Sequence, residues 1–230
     1  MTQMLLGIAP DWIPTLDNFV AGQNAELLSG LAHALNGLQA ATSDKQGGRA
    51  VYIWGEAGSG KSHLLQAAVN QARRLGFSAV YARAAVADMA QVVALDDVDL
   101  LDAAAQIELF ALYNRMRESG GMLLASGSAA PAYLQLRDDL RTRLGWGLVY
   151  QVQALSDEEK ALALQKHAQA RGFALPHEVT QYLLRHGRRD LPGLLGLLNA
   201  LDEHCLRLQR SATVPLLKEV MQMAQQDGDV

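Results

Sequence analysis

Residues 55 to 62 read GEAGSGKS and satisfy G-x-x-x-x-G-K-[ST] at every position. Glycines at 58 and 60 let the backbone turn, so that successive N–H groups from Gly55 through Glu56, Ala57, Gly58, Ser59 and Gly60 face inward toward phosphate oxygens. Lys61 is spaced to reach the β and γ phosphates, and the Ser62 hydroxyl to ligate Mg²⁺. A triphosphate site also needs a carboxylate at the end of a neighbouring strand. The stretch VVALDD supplies two, Asp96 to orient Mg²⁺ through water and Asp97 to polarise the attacking water. A further apolar run, LLAS, ends in Ser126, which either senses a γ-phosphate or begins a turn.

Such groups work only if strands and helices bring them together. RAVYIW (49 to 54), QVVALD (91 to 96) and MLLAS (122 to 126) read as short strands alternating with longer helical stretches, which predicts a parallel sheet with crossover helices. FSAVYAR adds a fourth strand and LVYQVQ (148 to 153) a fifth. After Lys61, Leu64, Leu65, Ala68, Val69, Ala72 and Leu75 share one helical face, with Gly76 as terminator. AAAQIELFALYNRMRESGG also reads as a helix, with Ile107, Phe110, Ala111 and Asn114 near one line and two glycines closing it. Beyond Ala154 the pattern becomes helical: Ser156 and Glu159 have capping-box spacing, and about four helices follow. The expected organisation is a tail over 1 to 12, an α/β base over 13 to 154 and a helical second domain over 155 to 230. ATSDKQGG (41 to 48) reads as a surface loop.

The composition narrows the field. The 230 residues carry a formal charge of −4, with 11 basic against 14 acidic residues up to Gln153 and 9 against 10 beyond it, so neither half is a nucleic-acid footprint. RDDLRTR and RHGRRD mix both signs, as a solvated face does. The single cysteine, Cys205, allows no internal disulfide and reads as a small buried apolar residue. The six histidines lack metal spacing, and Trp12, Trp54 and Trp146 are expected to be packing anchors. With no signal peptide or membrane-length apolar run, the expected location is cytoplasmic.

These motifs together resemble the AAA+ ATPases of the DnaA/Hda clade, and within it the shorter regulatory Hda branch more than the initiators. TLDNFVAGQNAEL resembles the clade's F-x-V-G-x-x-N stretch, which implies that Phe19, Val20 and Asn24 lie against adenine. GEAGSGKSHLLQA and VVALDDVDLL are similar to its two nucleotide motifs, which adds His63 to the nucleotide site. LRTRLGWGLVYQVQ resembles its box VII, which implies that Arg143 is an arginine finger acting on a neighbour's ATP; read alone, Arg143 would be a surface residue pairing with Asp138 or Asp139. Three departures stand out: Pro192 where sensor II has arginine (Arg188 or Arg189 being candidate substitutes), Gly127 where an aspartate follows the sensing serine, and an end at Val230 without a DNA-binding domain.

On this resemblance Gln3, Leu5 and Leu6 are expected to dock on the DNA polymerase III sliding clamp (the beta subunit), bringing the chain to DnaA without sequence-specific DNA binding or a membrane. The expected cofactors are ADP or ATP with Mg²⁺, intrinsic hydrolysis is expected to be weak or absent, and a homodimer is left open. Two readings compete with the regulator: a self-acting ATPase such as a helicase loader, and a DnaA-like initiator fragment.

Overall fold

A computed structural model describes residues 13–40, 49–187 and 190–226. The tail with Gln3, Leu5, Leu6 and Trp12, the loop 41 to 48, and Arg188 and Arg189 lie outside the described residues. Helix α1 (Ala25–Ala40) leads into strand β1 (Arg49–Trp54) and helix α2 (Lys61–Arg74). Strands β2 (Ala79–Arg83) and β3 (Val92–Asp96), helix α3 (Ala103–Ser119), strand β4 (Met122–Gly127), helix α4 (Asp138–Leu144) and strand β5 (Leu148–Gln151) complete the base. Helices α5 (Asp157–Ala170), α6 (His177–His186), α7 (Leu191–Leu208) and α8 (Val214–Gln226) follow.

The five strands form one sheet in the order β2-β3-β4-β1-β5, every neighbouring pair parallel. A parallel sheet must be covered on both faces, and the alternation along its central strands shows how. Val51, Ile53, Val92, Ala94, Met122 and Leu124 point to one side, against α1 and α2. Tyr52, Val93, Leu95, Leu123 and Ala125 point to the other, against α3 and α4. Strand β5 is an edge, with Leu148 and Val149 exposed.

Helix ends follow local chemistry. Gly76, at φ 88°, closes α2: its N–H donates to the Arg73 carbonyl and that of Phe77 to the Ala72 carbonyl. The Ser156 hydroxyl accepts from the Glu159 N–H while the Glu159 carboxylate accepts from the Ser156 N–H, so the capping box forms. Asp190 caps α7 by accepting from the Gly193 N–H at 2.7 Å, and Pro192 sits in the first turn, where a missing N–H costs no helical bond. The core of α5 to α8 is separate and built mainly on Leu164, Leu183, Leu198, Leu201 and Leu217.

The structure decides which side of α3 is buried, and it changes two expectations, the end of β5 and the role of Trp146. The buried face of α3 is Leu109, Leu112, Tyr113 and Met116, whereas Ile107 is 54% exposed, because the helix turns its long apolar side chains toward β3 and β4. Strand β5 stops at Gln151. Trp146 is 58% exposed and anchors no core. Cys205 is buried, and burial pushes its thiol up. No helix among the described residues is long and apolar enough to cross a membrane.

Candidate functional site

All five strands run the same way, so their C-terminal ends share one edge of the sheet, the usual place for a ligand in an open α/β fold. Strand β1 ends in the phosphate loop, β3 in Asp96 and Asp97, β4 in Ser126 and Gly127, and β2 in Arg83. Gly60 begins α2 at φ 107°, and a Cβ there would stand 2.7 Å from the Phe19 ring, so only glycine admits both the turn and that close approach. Lys61 is 9% exposed, and its ammonium donates to the carbonyls of Gly55 at 2.8 Å and Glu56 at 2.9 Å, which folds the loop around it.

A cleft opens beside this loop. Its walls are Asn18, Phe19, Val20, Gly58, Ser59, Gly60 and His63 from the base and Leu155, Lys160, Leu191, Pro192 and Leu195 from the helical part. The walls are largely apolar, as a purine needs, while the phosphate loop supplies the polar end. Ser59 is buried and its hydroxyl has no partner, a polar atom that a phosphate oxygen would satisfy. His63 lies 5.5 Å from the Phe19 ring and its Nε2 is 3.0 Å from the Thr15 carbonyl oxygen. Burial pulls the His63 pKa below the ordinary imidazole value, and the Thr15 contact partly opposes this. A larger open depression on the helical part, containing Arg171 and Asp202, lies apart from these residues, and that ion pair is mutually satisfied at 2.9 Å.

Two expected ligand residues have other duties. Asn24 is 2% exposed, and both ends of its amide are used on the Gln153 backbone: Nδ2 donates to the carbonyl at 2.9 Å and Oδ1 accepts from the N–H at 2.7 Å. It therefore pins the segment before α1 to the end of the sheet. Ser126 is completely buried; its hydroxyl donates to Asp96 and accepts from the Asp97 N–H at 3.1 Å. Its proton is directed at Asp96, so it orients the carboxylate pair.

The carboxylates bring in two residues that motif reading missed. Tyr81 donates to Asp96 Oδ2 at 2.8 Å, and Arg83 Nε donates to Asp97 Oδ2 at 2.7 Å. Burial pushes the Tyr81 phenol up; hydrogen bonds with Gln66 and Ser62 oppose this and Asp96 adds to it. The signal was present, since Tyr81 and Arg83 alternate on a predicted strand and so share a face, but only the pairing of β2 with β3 shows that the face meets Asp96 and Asp97. The hydroxyl of Ser62 and the carboxylate of Asp96 are hard oxygen donors of the kind Mg²⁺ takes, so the residues present fit that ion.

Gly127 has its own reason. A Cβ there would stand 2.2 Å from the Tyr52 hydroxyl, which is buried and donates to the Ala129 carbonyl at 2.8 Å. The tyrosine occupies the space that an aspartate would need.

Arg143 lies elsewhere, and none of its ring neighbours lines the cleft. Asp138 and Asp139, its expected surface partners, are taken by Arg141 and Arg137, each at 2.8 Å. The Arg143 guanidinium rests instead 4.2 Å from the Trp146 ring centre, with Phe110 at 5.6 Å and Tyr113 at 5.8 Å. No carboxylate among the described residues pairs with it.

Comparison with known proteins agrees with this geometry. The family model for the bacterial DnaA ATPase domain matches residues 13–83, and the model described as "Hda, lid domain" matches residues 157–221. Domain III of DnaA from Thermotoga maritima superposes with a TM-score of 0.70 at 20% identity, covering 90% of this chain and 95% of that one. AMPPCP-bound DnaA from Aquifex aeolicus gives 0.67 at 23%, covering 84% and 67%. A crystal structure of a DNA replication initiation factor gives 0.68 at 23%, covering 83% of this chain, which spans 64% of that protein's length. With a phosphate loop on a β2-β3-β4-β1-β5 parallel sheet, a DnaA-type base and an Hda-type lid over α5 to α8, the chain belongs to the DnaA/Hda clade of AAA+ proteins.

Proposed function

We infer that this chain is a nucleotide-switched regulator of replication initiation that binds an adenine nucleotide between base and lid and presents Arg143 to ATP held by DnaA. The observation that carries the reading is the state of Arg143: a cation with no carboxylate partner among the described residues, cushioned on Trp146, Phe110 and Tyr113 away from the chain's own cleft. The AMPPCP complex of the Aquifex aeolicus protein supports an adenine nucleotide as ligand.

In the chain's own cleft, backbone N–H groups from Gly55 to Ser62 and the Lys61 ammonium hold phosphates. Phe19, Val20, His63 and the lid residues Leu155, Leu191 and Leu195 flank the base. Mg²⁺ held by Ser62 and Asp96 would supply positive charge at the phosphate oxygens. Pro192, at the sensor II position, brings no charge, so lid closure here reports the bound base more than the γ-phosphate. On the partner, water attacks the γ-phosphorus and the bond to the bridging oxygen breaks, leaving ADP with the electron pair. Arg143 neutralises the charge that spreads over the equatorial oxygens during that step.

The test measures hydrolysis of DnaA-bound ATP with clamp-loaded DNA and either this chain or its Arg143→Ala variant. Stimulation is expected to fall to near background, since such an arginine contributes on the order of 10³ to 10⁵ in rate. Undiminished stimulation by Arg143→Ala would overturn the reading. Gln3→Ala with Leu6→Ala tests clamp docking in the same assay, and loss of stimulation only when the clamp is required supports it. Strong hydrolysis by the pure chain, abolished in Asp97→Asn, would instead favour a self-acting ATPase.

A further inference from the structure

The helical part brings one cation to the cleft, and it does so from a place that helix physics disfavours. The capping box fixes the start of α5 at Ser156, so Lys160 falls in the first turn, near a helix end whose partial positive charge opposes an ammonium. Its neighbour one turn on, Leu164, is fully buried in the core of α5 to α8, whereas Lys160 lines the cleft beside the phosphate loop.

The surroundings of Lys160 give its charge little in return. Its side chain is only 18% exposed, and its ion-pair partner is Asp157 at 3.6 Å, too long for a hydrogen bond and on a side chain that is itself 75% exposed. The ammonium makes no hydrogen bond among the described residues. Glu159, next to it in the chain, is occupied by the Ser156 N–H at 2.8 Å.

The support beneath Lys160 is firm. Leu155 and Glu159 press on the base, since a Cβ on Gly22 would stand 2.8 Å from Leu155 Cδ2 and 3.0 Å from Glu159 Oε1. Asn24 grips the Gln153 backbone just before them. The start of α5 is thus held against the base, and its lysine is delivered to one side of the cleft.

Across that cleft stand Gly58, Ser59 and Gly60, with the unpartnered Ser59 hydroxyl among them. His63 also lines it but is neutral at pH 7, because burial pulls its pKa down. Among the described residues that line the cleft, Lys160 is therefore the one with a charged side chain. Ser62, Asp96 and Asp97, which serve the metal and the γ end, are not in its walls. The cation accordingly faces the part of a phosphate chain nearer the base.

We propose that Lys160 is a nucleotide-binding residue of the lid, its ammonium pairing with the phosphates that ADP and ATP share. A phosphate oxygen is the charged acceptor that Asp157 supplies only at long range. Pro192 contributes no charge from α7, so α5 gives the lid its phosphate contact, and closure answers to ADP and ATP alike. The proposal rests on the nucleotide-binding reading above but is independent of Arg143 and of hydrolysis.

The experiment compares the full chain with Lys160→Met, which keeps the aliphatic stem, and Lys160→Arg, which keeps the charge. Affinities for ADP and AMPPCP are measured by calorimetry, affinity for adenosine by ligand-observed NMR, and the fold by thermal unfolding without nucleotide. Lys160→Met should weaken ADP and AMPPCP equally, by about 10- to 100-fold, the range for a lost hydrogen bond to a charged group. Its adenosine affinity should stay within about three-fold of the parent, and its loss for ADP should shrink as salt is raised. Lys160→Arg should hold ADP within about five-fold. The melting temperature of Lys160→Met should equal or exceed the parent's, because a cation leaves the first turn of α5, so that lost binding is not lost folding.

ADP affinity within about three-fold of the parent in Lys160→Met would overturn the proposal and leave the nucleotide reading intact. Equal losses for ADP and adenosine would overturn it too, since the side chain would then serve the base or the fold. So would a loss confined to AMPPCP, which would move the contact to the γ-phosphate, or a loss in Lys160→Arg as large as in Lys160→Met, which would show that charge is not what matters. Failure of the parent chain to bind ADP would remove the nucleotide reading and this proposal together.

Discussion

Tyr52 and Gly127 should behave as one unit in unfolding experiments. Gly127 ends β4 opposite Trp54 of β1, and a Cβ there would lie 2.2 Å from the Tyr52 hydroxyl oxygen, 3.3 Å from Tyr52 Cζ and 3.2 Å from Asp99 Oδ1. Tyr52 is 1% exposed and cannot swing into solvent. Gly127→Ala must therefore displace the phenol from the Ala129 carbonyl. Overpacking of this kind costs about 1–3 kcal/mol, and the broken hydrogen bond adds about 1 kcal/mol. The loss of unfolded-state freedom returns about 0.4–1 kcal/mol, leaving a net destabilisation of about 2–3 kcal/mol.

Removing the hydroxyl should relieve most of this. In a Tyr52→Phe background the nearest ring carbon is 3.3 Å from the added methyl, a tight but adjustable contact. The Gly127→Ala penalty should then fall below about 1 kcal/mol, giving a coupling energy of about 1.5–2 kcal/mol in a double-mutant cycle. Urea unfolding of the four proteins measures it. Additivity within about 0.5 kcal/mol would refute the steric account and return Gly127 to an unexplained departure from its clade. The same geometry predicts that Gly127→Asp alone cannot restore the clade's serine-aspartate pair, because the new carboxylate would meet both the phenol and Asp99.

The remaining predictions use other parts of the molecule. His63 titrates lower in the native state than in the unfolded chain, so stability should hold above about pH 7.5 and fall as pH drops through about 6.5, where only the unfolded state takes up the proton; urea midpoints for the parent and His63→Gln should show the slope flatten in the variant. Asn24→Ala should cost about 1–3 kcal/mol in urea unfolding, because it removes the two hydrogen bonds that the buried Asn24 amide makes to the Gln153 backbone. Trp146→Ala should reduce stimulation of DnaA-bound ATP hydrolysis about two- to five-fold with Arg143 intact, while Trp146→Phe retains most of it; this matches about 0.5–1 kcal/mol for an exposed cation–π contact.

The fold was largely legible along the chain because parallel strands buried on both faces appear as short apolar runs, and the helices between them carry their own caps. Gly76, Gly120 and the Ser156–Glu159 pair mark helix ends through interactions a few residues long, so local spacing suffices to find them. Helix α1 carries no nucleotide motif, yet Leu27, Leu31, Ala34 and Leu35 repeat at helical spacing and are all buried. The buried side of α3 is not legible locally because a helix with apolar residues on several sides does not declare which side meets the sheet; Leu109, Leu112 and Met116 are buried while Ile107 is exposed.

The site divides along the same physical line. The phosphate loop and the two aspartates are contiguous motifs, and the chemistry of each requires those residue types at that spacing, so the expectation of a phosphate and metal site comes from sequence alone. What surrounds those motifs depends on contacts between residues far apart in the chain. Strand order sets Arg83 and Tyr81 against Asp97 and Asp96, the crowding of Tyr52 excludes a side chain at Gly127, and the packing of α3 on α4 sets Phe110 and Tyr113 around Arg143 with Trp146 beside them. Only the tertiary structure decides these, because a hydrogen bond or a clash is fixed by distance in space, and β-sheet pairing makes neighbours of residues that no local pattern connects.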